Sequence, residues 1–353
     1  MTENPYRNVG QRVLGDAFVG RTELLWRVRS TWEGDVLGNL SVQGSHRMGK
    51  TSLVGRAVEL DRGNRPDLVF ISASVGDYES GPDLFRALVR KAHSEVVQSP
   101  GPARPYLPLL DQSLGSVSTT DDVATLRDQV SEYFGHLGRA GLSTVVVLDE
   151  FDRASAVLTR LSEFQFLRSL ASERPAVGLV TISRRPIHVI EIDAVSGSTL
   201  DAVLSLRCDV GCFTDDEIDQ MLDKVKPHGI DLGAHRADVV KFTGGHPYLL
   251  ALLCHEVVQQ YRQRGGIDVD AAYRGLTNQF ETQFATLVRG LDTSTGDRAG
   301  FLLHKVVAKA TDAVPAPDLD LMERLGLIQK DGTSFRLFSP EFERYVRRAI
   351  PSP

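Results

Sequence analysis

Gly44-Ser45-His46-Arg47-Met48-Gly49-Lys50-Thr51 decides how the rest of this sequence is read. The octet matches G-x-x-x-x-G-K-[ST] without a mismatch, and each residue type answers a demand of phosphate binding. Two glycines let the backbone curl until its N–H groups converge on a phosphate-sized nest. Lys50 brings a point charge for the β- and γ-phosphates, the Thr51 hydroxyl is a ligand for Mg²⁺, and Ser52 continues the same turn. A helix starting at Lys50 adds the positive end of its dipole. A glycine turn beside a surface lysine would show the same letters without this context. Here a short strand at residues 39–43 runs straight into the octet, and residues 51–60 read as a helix straight after it.

The next informative stretch is Val145-Val146-Val147-Leu148-Asp149-Glu150. A continuous β-branched and apolar run reads as a strand covered on both faces, as in a parallel sheet. Such sheets place ligand-binding groups at the carboxyl ends of their strands. Asp149 is therefore the candidate for the Mg²⁺ shell, and Glu150 for polarising an attacking water. A third strand end, Val180-Thr181-Ile182-Ser183-Arg184-Arg185, offers two hydroxyls and a cation. Either Thr181 or Ser183 is placed to sense a phosphate or water, with Arg184 balancing its charge, and the sequence does not choose between the hydroxyls. Residues 68–75 read as one more strand. Ser80 with Asp83 forms a capping-box pattern that predicts a helix to about Val97. The proline-rich residues 99–108 read as a surface loop, and residues 121–137 as an amphipathic helix. Strands alternating with helices imply βαβ units and a mostly parallel sheet.

These elements in this order resemble the branch of P-loop NTPases that has an additional strand and a catalytic glutamate, which includes the AAA+ and STAND ATPases. Two further segments carry the resemblance. Phe18-Val19-Gly20-Arg21-Thr22-Glu23-Leu24 looks like the F-x-G-R-x-x-E-L segment that precedes the phosphate loop in STAND and archaeal-type ATPases. There the segment folds over adenine, which implies a role for Val19, Gly20 and Arg21. Thr243-Gly244-Gly245-His246-Pro247-Tyr248 looks like the G-x-P lid motif of the same families, which implies that Pro247 packs against the base and His246 reports nucleotide state. The resemblance implies ATP and ADP rather than guanine nucleotides. It also implies an arginine supplied by a neighbouring subunit, for which Arg160, Arg168 and Arg174 are undistinguished candidates here.

Beyond Cys212 the character changes. Thr214 with Glu217 makes a second capping box, and the chain reads as helical to about Phe284. From about residue 297 it reads as helix, helix, a hairpin around Lys330-Asp331-Gly332, and a closing helix. Leu321–Ile328 and Phe335–Pro340 resemble, around that turn, the winged helix that ends many of these ATPases. The expected organisation is an α/β P-loop NTPase core at 1–212, a helical lid at 213–294 and a winged-helix-like module at 295–353.

Composition limits the partners. The formal net charge is −6, whereas gripping nucleic acid rewards a basic surface. Residues 295–353 hold nine Lys and Arg against eight Asp and Glu, so that module is nearly neutral, although Arg344, Arg347 and Arg348 cluster on its last helix. Three cysteines, Cys208, Cys212 and Cys254, make neither a disulfide framework nor a zinc site. The sequence shows no membrane span and no secretory stretch, so a cytoplasmic setting is expected.

Two function classes follow. One is a STAND-like ATP-dependent switch, for which the resemblance implies a bacterial conflict or signalling system, in which nucleotide state moves the lid and the winged helix and controls assembly. Related chains continue into nuclease, sensor or effector domains that this sequence does not include, which implies a separately encoded partner. The other is a DNA-binding ATPase of origin-recognition or regulator type that reads DNA through the winged helix. A nucleotide-holding scaffold without turnover is a third possibility, but intact Lys50, Thr51, Asp149 and Glu150 argue against it.

Overall fold

The computed structural model describes residues 4–195 and 200–351. The outer bounds of the first and last expected regions, at 1–3 and 352–353, lie outside them. The chain divides into two compact units. One comprises the described residues of Glu23–Gln43 and Val54–Cys208, the other those of Met1–Thr22, Gly44–Leu53 and Asp209–Pro353.

The sheet unit is built from α1 (Thr22–Ser30), β1 (Leu40–Gln43), α2 (Lys50–Arg62), β2 (Leu68–Ser74), α3 (Gly81–Gln98), α4 (Leu107–Thr119), α5 (Val123–Arg139), β3 (Ser143–Asp149), α6 (Ala154–Val157), α7 (Leu161–Glu173), β4 (Val177–Ser183), α8 (Ile187–Val195) and β5 (Leu206–Asp209). Strand order across the sheet is β2-β3-β4-β1-β5, and the β2–β3, β3–β4 and β4–β1 pairings are parallel. β4 is inserted between β1 and β3, which is the additional strand the resemblance calls for. The apolar run of β3 reads as it does because Thr144 through Leu148 are all buried, and every residue of β4 is buried too. Each fully buried Val or Leu contributes about 1.5–3 kcal/mol of transfer free energy.

Caps set the helix starts. The Ser80 hydroxyl accepts from the Asp83 amide at the head of α3, and Asp122 accepts from the Thr125 amide at the head of α5. Two elements differ from the sequence reading. Residues 99–108 are not an open loop: Gly101–Tyr106 is a 3₁₀ helix that leads directly into α4. α4 escapes pattern reading because it is rich in Ser, Thr and Gly and buries only Leu110 and Val117, two turns apart. β5 escapes it as well, since only Cys208 of its four residues is buried and no alternation shows.

The second unit contains α9 (Asp215–Asp223), α10 (Arg236–Thr243), α11 (Pro247–Arg264), α12 (Val269–Thr295), α13 (Ala299–Val307), α14 (Ala316–Arg324), the antiparallel pair β6 (Ile328–Asp331) and β7 (Ser334–Leu337), and α15 (Pro340–Ala349). Both halves of the expected capping box at α9 form: the Glu217 amide donates to Thr214, and the Thr214 amide donates to Glu217. α12 continues about three turns past Phe284. Among the described residues no helix is long and apolar enough to cross a membrane.

α10–α12 and α13–α15 share one core. Phe284 of α12 meets Phe342 of α15 with ring centroids 5.2 Å apart, and Phe342 stacks on Phe338 at 4.8 Å. Aromatic pairs of this kind add about 0.5–1.5 kcal/mol beyond burial. Phe342→Ala is therefore expected to destabilise this unit by about 3–5 kcal/mol, read as a shift in the urea midpoint followed by circular dichroism. A shift near zero would show that the two groups of helices do not share a core.

Candidate functional site

Within the second unit the 44–51 loop is curled on itself. Lys50 Nζ donates to the carbonyls of Gly44 and Ser45, each at 2.8 Å, and so closes the loop into a ring around its ammonium. A Cβ at Gly44 would lie 2.3 Å from the Val210 carbonyl oxygen, so only glycine allows that approach. Gly49 (φ 88°) and Arg47 (φ 63°) take left-handed backbone, the second at a steric cost. The N-terminal turn of α2 begins at Lys50. A curled backbone, a lysine inside it and a helix N-terminus fit the phosphate groups of a nucleotide. Ser52 Oγ accepts from the Val13 amide at 2.9 Å, so that hydroxyl fastens the N-terminal segment.

All four variable positions of the octet are docked on other elements of the unit. Ser45 Oγ donates to the Leu325 carbonyl at 2.6 Å, just past α14. His46 meets Gln283 of α12 twice: Gln283 Nε2 donates to the His46 carbonyl at 3.1 Å, and His46 Nδ1 lies 3.3 Å from Gln283 Oε1. The Arg47 guanidinium sits 4.0 Å from the ring centre of Tyr248 on α11. Met48 is buried, with its terminal carbon so near Gly326 that a Cβ there would come within 3.0 Å.

The remaining sequence candidates of this unit occupy defined places. Val19 packs against the core that α10–α15 share. Arg21, with left-handed backbone (φ 60°), donates to the Gly211 and Cys212 carbonyls, lies 4.5 Å from the Phe213 ring centre, and takes its backbone N–H to Glu217. It acts as a strut between the Gly20 turn and α9. Pro247 opens α11 and is half-buried. His246, the residue before it, is fully buried. Its Nε2 lies 3.4 Å from Gln283 Nε2, and its Nδ1 has no partner among the described residues. Burial pushes this imidazole from 6.5 down to about 3, helped by the charge of His46. Arg344, Arg347 and Arg348 on α15 are paired with Glu341, Glu343 and Glu281 in turn.

In the sheet unit, parallel register gathers the other candidates at one edge. Gln43, the last residue of β1 before the loop, pairs with Ser183, and Leu148 pairs with Thr181. Asp149, Glu150 and Ser183 thus stand at the carboxyl edge from which the chain enters the loop. Glu150 has left-handed backbone (φ 51°), an uncommon state for a non-glycine residue. Its amide donates to Asp149 Oδ1 at 2.8 Å, and its Oε2 accepts from Ser74 Oγ at 3.1 Å. Ser183 Oγ donates to the Arg185 carbonyl at 2.7 Å, whereas the fully buried Thr181 hydroxyl has no partner among the described residues. Asp152 accepts from the amides of Arg184 and Arg185 and pairs with the guanidinium of Arg184 at 3.7 Å. Of the other arginines considered, Arg160 caps α7 and Arg174, just past its end, donates to Ser131 Oγ. Arg168 is exposed.

Sequence reasoning missed Ser74 and Gln283. Ser74 is the register partner of Asp149, a relation that only strand pairing reveals. Gln283 had a signal: a polar residue at an apolar helical position, beside Phe280, Phe284 and Leu287.

No protein-family model matches the chain, and no curated protein matches it. Among solved structures, the Walker-type ATPase of Pyrococcus abyssi superposes with a TM-score of 0.58 at 12% identity, covering 94% of this chain and 97% of that one. The fold is that of a P-loop ATPase. The ORC2 protein of Aeropyrum pernix, in its ADPNP–ADP complexes, gives a lower TM-score of 0.49 at 13% identity, over 95% of this chain and 96% of that one.

Two stability measurements check this description of the P-loop fold. Glu150→Gly and Glu150→Ala both lose the Ser74 bond, but only alanine keeps the left-handed strain, so the glycine variant should be the more stable by about 1 kcal/mol. Equal urea midpoints would show that the position is unstrained. For His246 the folded value is depressed, so between about pH 6.5 and about pH 3 the unfolded chain takes up a proton that the folded chain refuses. The stability it contributes is complete above pH 6.5 and falls by about 1.4 kcal/mol per pH unit below it. His246→Asn should flatten that slope, read as urea midpoints at successive pH values.

Proposed function

We propose that the chain is an ATP-binding, slowly hydrolysing switch that passes nucleotide state to the helices following residue 209. The observation that carries this reading is the pre-curled loop of residues 44–51, closed by Lys50 and held from outside by α11, α12 and the turn after α14. A nest already formed spends little free energy on ordering when an anion enters. A nest held by other elements cannot adjust without shifting them.

In this reading Lys50 serves the phosphates, Val19, Gly20, Arg21 and Pro247 border the base, and residues 213–294 act as a lid beside a winged-helix-like module. Thr51 and Asp149 are the residues that would hold Mg²⁺, which when bound neutralises phosphate charge. Glu150 would accept the proton of the attacking water, which requires its carboxylate to leave Ser74. Thr181 or Ser183 would sense the phosphate, and Arg184 would supply nearby positive charge. The preference for ATP over GTP and an effector partner follow from the resemblance.

The alternative, DNA reading by residues 295–353, would use Arg344, Arg347 and Arg348. Each of these must first leave a glutamate, which offsets part of the gain from phosphate contacts.

Lys50→Ala should lower affinity for a fluorescent ATP analogue at least a hundredfold, about 2.7 kcal/mol or more. Wild-type affinity in that variant would sink the phosphate-loop assignment. Glu150→Gln should keep ATP bound while phosphate release slows by about two orders of magnitude, a loss ordinary for a missing general base. Light scattering on Glu150→Gln with ATP and Mg²⁺ should then report a different size from that with ADP. A change that needs duplex DNA would transfer the conclusion to the DNA-reading alternative.

A further inference from the structure

Gln283 is 3% exposed on α12, surrounded by aromatic and aliphatic side chains, yet all of its hydrogen-bonding capacity points at two histidines. Its Oε1 faces His46 Nδ1 at 3.3 Å. Its Nε2 faces the His46 carbonyl at 3.1 Å and His246 Nε2 at 3.4 Å. The carboxamide nitrogen donates to the His46 carbonyl, while the roles of the two ring nitrogens depend on their tautomers. His246 Nδ1 has no hydrogen-bond partner among the described residues.

His46 is the second variable residue of the phosphate loop, and its peptide contributes to the nest. His246 caps α11 in the Gly-Gly-His-Pro turn. One side chain therefore spans the loop and two helices. We propose that Gln283 is a positioning residue of the phosphate loop, which holds the His46 peptide in its phosphate-accepting orientation and transmits its movement to α12 and α11. This rests on the loop binding a nucleotide's phosphates, and it names the element that senses them. Ser45 on Leu325 and Arg47 on Tyr248 hold the same loop at its flanks, but they use a main-chain acceptor and an exposed cation, neither of which fixes a peptide orientation.

The test uses the full chain with Mg²⁺ and ADP, a fluorescent ADP analogue for affinity, and hydrogen exchange of residues 44–51 and 280–287. In the wild type, ADP is expected to slow exchange in both segments. Gln283→Met keeps the side-chain length without the polar atoms. It should bind the analogue about tenfold more weakly, the change expected for one lost hydrogen bond to the loop, and at saturating ADP only residues 44–51 should respond. Gln283→Glu keeps the acceptor and loses both donors, and it should behave in the same way, which covers a methionine variant that does not fold. Protection of 44–51 without 280–287 in the wild type would overturn the coupling, with no variant needed. A variant that binds more weakly while 280–287 still respond would show a packing role only, and would also overturn it. Wild-type chain that fails to bind the analogue, like the Lys50→Ala control, would instead remove the nucleotide reading beneath the proposal.

Discussion

The ammonium of Lys50 lies within hydrogen-bonding distance of two carbonyls of its own loop, and most of what surrounds residues 44–51 follows from that closure. A ring this small turns its variable side chains outward, where they need partners. Ser45, His46, Arg47 and Met48 find them in three places along the second half of the chain: α11, α12 and the turn after α14. The same closure explains why Gly44 tolerates no Cβ, since the curled backbone lies against Val210. Lysine is suited to the part because its charge can be held by carbonyls and later by phosphate oxygens, three rotatable donors serving either.

The parts of the fold that the sequence reveals are those governed by short-range rules. The loop was legible because glycine, lysine and threonine at fixed spacing have one physical use in common. β3 was legible because Val145, Val146, Val147 and Leu148 must all be hidden from water. The caps at Ser80 and Thr214 were legible because a hydroxyl three residues before an acid satisfies a helix end in only a few ways. α4 was not, since its low-propensity residues are held by packing against α3 and α5 rather than by their own preference. β5 was not, since a four-residue strand with one buried side chain carries no period.

The candidate site divides along the same line. Lys50, Asp149 and Glu150 are named by motif, and Lys50 is held by its own loop, but the side chain of Glu150 is held by a residue distant in sequence. Ser74 reaches Glu150 only because β2 and β3 pair in a register that sets Ser74 beside Asp149. The bond from the Ser183 hydroxyl to the Arg185 carbonyl depends on a local turn, which no residue pattern encodes. The left-handed Glu150 likewise records a conformation that surrounding contacts impose.

α12 runs from Val269 to Thr295. Gln283 lies near its middle, so roughly 20 Å of helix extends to either side at 1.5 Å per residue. A tilt of about 5° pivoting at Gln283 would carry each end by about 1.7 Å over such an arm. Shifts of about 1–2 Å are the size at which packed helix interfaces change partners rather than stretch. Under such a tilt the helix would work as a two-armed lever, with its fulcrum at the Gln283 amide and its gain set by chain length. Shortening either arm would reduce the stroke at that end and leave the grip on the loop as it is.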